Sequence, residues 1–410
     1  MKNCIVKFLE IQGYKIGPVQ ERNNQELVIR ITKKKGYRNK CPGCGSLKIS
    51  CHAKGKYRLK KHSHFQEKLI YLEVKRDRLI CLKCRRVFAE ELPEIEKYSR
   101  RSNNFTKQSL NYLAKNSFNE VGMVNQIGYQ SLKNSLYDNV DPFKLLMEKI
   151  KLLAKLDEIF LGLDGQSFRG LDMVLTITEV RLKELLTILP SELQVDLTRF
   201  LDQLPLEIRL KVKGVAMDMT NKHWRLIKSY FPNAKIVIDH YHVVACALMH
   251  LQKIRTTLQT ARHISIPIKK ELNKNREDLT NFEKKKLNKY FKIFPELLAA
   301  YLAKENIRSF YRLTKYEEAR DRLKTLTAEL IESREPELKE LGRTLTNWRE
   351  EILNYFKCRI TNAYTEGLHT KCKLIKRKSF GFRNVETYVR KLILGLLPFA
   401  ILWSYTHFST

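Results

Sequence analysis

The chain of 410 residues has no apolar run that approaches the ~20 residues needed to cross a bilayer as a helix. Its best candidate, Leu392 to Trp403, is too short and is interrupted by Gly395 and Pro398, so it reads as a buried closing helix. The N-terminus, Met1-Lys2-Asn3-Cys4, lacks the apolar stretch and small-residue cleavage site of a signal peptide. The nine cysteines are an odd number, which argues against a framework made only of disulfides. With no leader they are expected to be reduced, in a cytoplasm. Acids are the scarce charge: 44 Asp+Glu stand against 77 Lys+Arg, a formal net charge of +33. A pI near 9.8 spread over so long a chain points to a polyanionic partner. A membrane surface would also attract that charge, but nothing in the chain spans one. Hydrophobic residues make up 43%, enough for real cores, so disorder is not the default reading. Length alone suggests two or three domains.

The shortage of acids is most one-sided near the N-terminus. Between Leu27 and Gln66 there are 12 Lys/Arg and no acid, a bias that favours phosphate contact over an ordinary solvated face. Starting in that stretch and ending beyond it are two C-x2-C knuckles, Cys41-Pro42-Gly43-Cys44 and Cys81-Leu82-Lys83-Cys84. Two intervening residues let both thiolates reach one tetrahedral Zn²⁺, and Pro-Gly suits the tight turn. The 36-residue gap holds the alternating stretch Lys68 to Val74, which reads as hairpin strand between the knuckles. Cys51, His52, His62 and His64 also lie in the gap; they are expected to be surface residues of basic strands rather than ligands. A zinc ribbon over residues 1–98 follows.

Residues from about Asn104 to Leu153 read as helices, and Phe118 to Leu132 has the outline of a helix-turn-helix, its first helix ending at Gly128 and its second opening at Ser131. Plain helical hairpins share that outline; the basic ribbon beside it favours DNA binding. The connector is expected over 99–156.

Three apolar runs then end on aspartate: Ile159 to Asp164, Gly214 to Asp218 and Lys235 to Asp239. Short unalternating runs read as strands buried on both faces, and an acid at such a strand end is set at the rim where ligands bind. Further strands are expected at Met173–Thr178 and, edge-like, at Leu185–Leu189, with a helix over His223–Phe231. Three consecutive strands followed by alternating helix and strand is the order of an RNase H-like core, an α/β fold in which the first and fourth strands carry neighbouring acids. Asp164 and Asp218 occupy those places; Asp157, Glu158 and Asp172 are nearby decoys. Glu366 comes much later, on a helix with Thr370, Lys373 and Arg377 on the same face. From Gly367 to Val385 there are six Lys/Arg and no acid, which suits a DNA backbone along that helix through Lys371, Lys373, Lys376, Arg377 and Arg383. The intervening 251–356 reads as wholly helical, an all-α insertion dividing a core of 157–250 and 357–410. Trp348 within it reads as a core tryptophan before a base-stacking one.

These residues carry a resemblance. Leu161 to Asp164, Asp218-Met219-Thr220, Phe231 to Val244, Thr361 to Gly367, Lys373 to Arg377 and Gly381 to Asn384 resemble the blocks of bacterial insertion-sequence transposases of the ISL3 family, which have an Asp-Asp-Glu core, and the likeness extends over essentially the whole chain. It implies metal-dependent cutting and joining of DNA at the terminal inverted repeats of an insertion sequence, with Asp164, Asp218 and Glu366 as catalytic and metal-binding residues. It implies two Mg²⁺ (or Mn²⁺) at that site, structural Zn²⁺ at Cys41, Cys44, Cys81 and Cys84, double-stranded DNA as partner, a homo-oligomer on DNA and a place at the bacterial nucleoid. On the residues themselves, Asp164 is expected to bridge two metals, with Asp218 and Glu366 each completing one. Asp239 and His242 are expected to support the site, either by orienting a phosphate or as a buried Asp–His pair that shapes the loop. Two positions depart from the family: Gly165 where an acid usually follows the first Asp, and His369 where Asn is usual. A nuclease without strand transfer, or a DNA-binding regulator with a dead core, are the alternatives; loss of a triad acid would favour the regulator, and all three are present.

Overall fold

The computed structural model describes residues 9, 11, 13–22, 26–34, 39–65, 68–398 and 402. The chain divides into two compact units, Met1–Asp141 with Leu374–Thr410, and Pro142–Lys373. This line falls elsewhere than the expected domains, which ran the core on to residue 410.

The first unit holds strands β1 (Tyr14–Arg22), β2 (Glu26–Lys33), β3 (Ile49–Ala53), β4 (Tyr57–Phe65), β5 (Lys68–Lys75), β6 (Arg78–Cys81) and β7 (Val87–Ala89). Four of them form a sheet in the order β1-β2-β5-β4, and the others form β3-β6-β7 beside the cysteine turns. Alternation on β5 buries Ile70, Leu72 and Val74, and Leu69 at its start is buried as well. Helices α1 (Asn103–Lys115), α2 (Phe118–Asn125) and α3 (Tyr129–Asn139) follow. Ser117 and Glu120 close a capping box that starts α2. The turn differs from the expected one. Gln126 takes the left-handed conformation (φ 50°) and ends α2 early, so Gly128 is the N-cap of α3 and Ser131 lies inside it. The closing helix, Val385–Leu396, buries Leu392, Ile393 and Leu394 and donates from Lys391 Nζ to the Leu113 carbonyl of α1.

The second unit opens with α4 (Pro142–Leu153). Its strands are β8 (Ile159–Arg169), β9 (Asp172–Glu179), β10 (Glu184–Leu189), β11 (Val212–Met217) and β12 (Lys235–Ile238). They make one sheet in the order β10-β9-β8-β11-β12. The β8–β9 and β9–β10 pairs are antiparallel, and β11 is parallel to both β8 and β12. Two helices absent from the sequence reading, α5 (Gln194–Asp202) and α6 (Leu206–Lys211), make the crossover from β10 to β11. Then come α7 (Asn221–Tyr230) and the long α8 (His240–Ala261). A helical block follows, from α9 (Lys269–Asn273), α10 (Asn281–Ile293), α11 (Pro295–Phe310), α12 (Tyr316–Glu332) and α13 (Pro336–Asn347) to α14 (Arg349–Cys358). One buried apolar cluster runs without a break from Leu146 through the sheet residues to Phe356, so the helical block shares its core with the sheet. Helix α15 (Ala363–Lys378) brings the chain back to β8. No helix among the described residues is long and apolar enough to cross a membrane.

Candidate functional site

Parallel strands end together, and that is what gathers the acids. Strand β11 stops at Met217 and β12 at Ile238, so Asp218 and Asp239 each begin the segment beyond. Asp164 was expected at a strand end too, yet it sits inside β8. The antiparallel hairpin with β9 carries β8 on to Arg169, while pairing with β11 ends at Gly162. Asp164 therefore lies just past the rim of its parallel neighbour and is buried, 7% exposed.

Asp239 and His242 do not pair with each other through their side chains. Asp239, 1% exposed, is the N-cap of α8 and accepts from the Tyr241 N–H at 2.8 Å. Its other oxygen accepts the Asn362 N–H at 2.5 Å. Asn362, wholly buried, donates through Nδ2 to the Leu163 carbonyl at 2.9 Å. The segment that opens α15 is thereby tied to both β8 and α8. Glu366 stands in the first turn of α15, where the helix dipole favours a carboxylate. Close docking there requires Gly162: a Cβ would meet Asn362 Oδ1 at 2.7 Å and Thr178 Oγ1 at 2.8 Å.

His242, thus fixed in the first turn of α8, brings Nε2 to 2.7 Å from Asp218 Oδ1. Ligand atoms of Asp164, Asp218 and His242 lie within 4.8 Å of one another. Burial, then the charges of Asp218 and Glu366, push the Asp164 carboxyl up to about 7 against the opposing pull of His242. Burial and the Asp239 and Asp218 charges also raise Glu366, with His242 and His240 opposing. Asp218 Oδ1 and His242 Nε2 are buried against each other as an ion pair, and Glu366 Oε1 is buried with no hydrogen-bond partner. A cluster of acids around one imidazole, with Glu366 Oε1 left open, fits a divalent cation.

Both departures from the family pattern have a physical counterpart. Where a Cβ at residue 165 would stand, Glu192 Oε1 lies 1.7 Å away, so a carboxylate from the loop after β10 fills that space. Its other oxygen pairs with Lys222 Nζ at 2.8 Å. His369, one turn along α15 from Glu366, places Nδ1 3.3 Å from Asp164 Oδ2 and Nε2 3.0 Å from Thr176 Oγ1. Burial lowers its pKa to about 4, so it packs as a neutral ring. Sequence reasoning noticed His369 only as a departure; Asn362 lay in a matched block without being singled out, and nothing in the local pattern pointed to Glu192.

The four cysteines also converge. Cys41 Sγ is 3.5 Å from Cys84 Sγ, Cys44 Sγ is 3.6 Å from Cys81 Sγ, and all four lie within 4.8 Å. Thiolates on a tetrahedral Zn²⁺ with bonds of ~2.3 Å stand about 3.8 Å apart, so the set fits that ion. Backbone N–H groups in the Cys84 turn hold Cys81 down to about 6. The histidines of the gap are not ligands in this arrangement. Against expectation His62 is buried rather than on the surface, bonded to Ser102 Oγ at 2.8 Å and the Leu9 carbonyl at 2.6 Å. His64 faces the Val124 carbonyl at 3.2 Å. On α15, Lys371, Lys373 and Arg377 are exposed and Lys376 is half-buried; Arg383 beyond it is exposed. Trp348 packs half-buried on the core and, with Trp224, lines a pocket of about 950 Å³.

Over residues 157–392 the chain matches the family model of ISL3 type described as a transposase. It is 22% identical over 367 residues to the transposase for insertion sequence element IS1001 of Bordetella parapertussis, a match spanning 86% of this chain and 87% of that one. A shorter stretch of 123 residues is 31% identical to the transposase for insertion sequence element IS1557 of Mycobacterium tuberculosis, 30% of this chain and 28% of that one.

Proposed function

The chain belongs to the ISL3 family of transposases, and from that premise we propose that it cuts and joins DNA at the ends of its own insertion sequence, using Asp164, Asp218 and Glu366. One observation carries the reading. Carboxylates from β8 and from the end of β11 meet at one rim within 4.8 Å of His242, and Glu366 of α15, its buried Oε1 without a partner, is near enough for its charge to raise Asp164. The sheet, three antiparallel strands extended by two parallel ones, supports an RNase H-like core. Two Mg²⁺ or Mn²⁺ held by Asp164, Asp218 and Glu366 would activate the attacking oxygen and stabilise the leaving one in an in-line displacement at phosphorus.

The chain's own part is positioning. Asp239 and Asn362 lock the opening of α15 against β8, which fixes where Glu366 stands relative to Asp164. His369 packs against Asp164 from the same helix. Lys371, Lys373, Lys376, Arg377 and Arg383 neutralise the phosphates that α15 and the loop after it present to the site. The cysteine cluster, holding Zn²⁺, and helices α2 and α3 recognise the inverted repeats. The site of action is double-stranded DNA in the bacterial cytoplasm, with a homo-oligomer bringing the ends together.

The test is cleavage of duplex carrying the DNA that flanks this reading frame, with Mg²⁺ or Mn²⁺. Asp164→Asn, Asp218→Asn and Glu366→Gln should each abolish cleavage and leave end binding intact, because each removes a ligand and leaves the basic surfaces untouched. Full cleavage by any one of them would show that the wrong acid was chosen. End binding with no cleavage by the unaltered chain would favour a regulator.

A further inference from the structure

We propose that His242 is itself a ligand of the divalent cation at Asp218, making this a mixed oxygen and nitrogen site that takes Mn²⁺ in preference to Mg²⁺. The proposal rests on the metal-dependent reading above and names the cation that site selects.

The geometry carries it. His242 Nε2 and Asp218 Oδ1 stand 2.7 Å apart, a distance at which a carboxylate and an imidazole normally share a proton. The two groups form an ion pair, although neither atom makes a hydrogen bond of good direction. A divalent cation would take the place of the proton between them, with both atoms as its ligands. Two ligand atoms at right angles on a cation with bonds of ~2.1 Å stand about 3 Å apart. The observed pair is close to that spacing. Asp164 offers an oxygen within 4.8 Å of both, and Glu366 Oε1 is a further buried atom without a partner.

The ring is also held where a ligand must be held. Asp239 caps α8 and binds Asn362, so the turn that carries His242 is pinned from two sides. His369 has a different setting. Its Nε2 is engaged by Thr176, and it touches Asp164 through an oxygen that it approaches from α15. His369 has both ring nitrogens against protein groups, whereas the Nε2 of His242 faces only an acid that could share a cation with it.

Donor chemistry then sets the cation. Mg²⁺ prefers oxygen and keeps several waters, whereas imidazole suits transition metals. Mn²⁺, the softer of the two ions, takes a nitrogen ligand more readily than Mg²⁺ does, so one imidazole among oxygens shifts selectivity toward it.

The experiment adds substoichiometric Mn²⁺ to the metal-free full-length chain and reads electron spin echo modulation from ¹⁴N. An imidazole signature is expected in the unaltered chain, absent in His242→Gln and kept in His369→Ala. Mn²⁺ affinity should fall roughly tenfold or more in His242→Gln, and the preference for Mn²⁺ over Mg²⁺ should shrink with it. Bound Mn²⁺ without nitrogen modulation in the unaltered chain would overturn the proposal while leaving the carboxylate site standing. So would modulation that survives in His242→Gln and vanishes in His369→Ala. No Mn²⁺ binding at all would sink both this inference and the metal-dependent function. Because the unaltered chain decides the main point, a variant that fails to fold does not remove the test.

Discussion

Around the four cysteines the buried apolar cluster consists of Cys41, Cys81, Leu79 and Phe88, with Ile49 packed against it. Around the acids a single core runs from Leu146 to Phe356. The two ligand sets differ accordingly. The cysteines are their own core: half of that small cluster is sulfur that a metal would hold. The acids are mounted on a fold that is complete without them, and they keep ligand atoms open at its rim. In the first place a cation would substitute for hydrophobic burial; in the second the hydrophobic burial holds charges in an arrangement that a cation would relieve, as a proton does. The same change, a ligand removed, should therefore have opposite consequences in the two places.

The largest effect is expected at the cysteines. Structural zinc contributes on the order of 10 kcal/mol or more to domains of this kind, far beyond what two apolar side chains supply. One zinc per chain is expected by elemental analysis. Chelation, or Cys81→Ser, should erase hydrogen-exchange protection in β3, β6 and β7, and leave the five-stranded sheet protected. Persistent protection in β3, β6 and β7 after complete zinc removal would end the claim.

At the acids the sign reverses. The folded-state pKa of Asp164 is raised from 3.8 to about 7. A group raised in this way contributes stability that is present below its unfolded pKa and is lost as pH climbs through its folded pKa. The metal-free chain should lose that contribution between about pH 4 and pH 7. Asp164→Asn, which cannot ionise, should match the unaltered chain near pH 4 and exceed it at pH 8, by at most about 4 kcal/mol. Divalent metal should then stabilise the unaltered chain and not the variant. A variant less stable than its parent at pH 8 without metal would mean that Asp164 braces the fold, and the contrast with the cysteines would collapse.

How much of this was legible in the sequence follows the same division. Strands β8, β11 and β12 announced themselves because strands buried on both faces leave unbroken apolar runs, and the C-x2-C pairs because tetrahedral sulfur ligation fixes a spacing. What hid was whatever depends on approach between distant elements. Asp164 was expected at a strand end, and only the hairpin with β9 shows why the strand continues. Glu192 reaches the space over Gly165 from a loop 27 residues away, and no local pattern marks it. Asp239 was read with His242 as a pair; the capping of α8 and the bond to Asn362 separate their tasks. The turn between α2 and α3 moved because Gln126, not a glycine, takes the left-handed conformation there.

The smallest effects sharpen the comparison at the level of DNA. Two surfaces are proposed to touch it, and they should respond to substitution in different ways. On α3 the exposed residues of the first turns include Tyr129, Gln130, Ser131 and Asn134, short or polar side chains of the kind that read base edges. On α15 the exposed basic residues include Lys371, Lys373 and Arg377, long cations of the kind that grip phosphate. Cutting the chain after residue 156 would not separate the two cleanly, since the closing helix Val385–Leu396 packs with α1 and α3 and Arg390 reaches the Tyr137 carbonyl. Full-length variants are the cleaner probe. Gln130→Ala should narrow the preference for end DNA over random DNA, by about 1–3 kcal/mol if it reads a base, with the salt dependence unchanged. Lys373→Gln with Arg377→Gln should weaken binding to both DNAs alike and make the dependence on log salt shallower by about 0.9 for each phosphate no longer neutralised. If instead the α15 pair changed discrimination and Gln130 changed only the salt slope, recognition would lie along α15, and the basic N-terminal region would be left holding backbone alone.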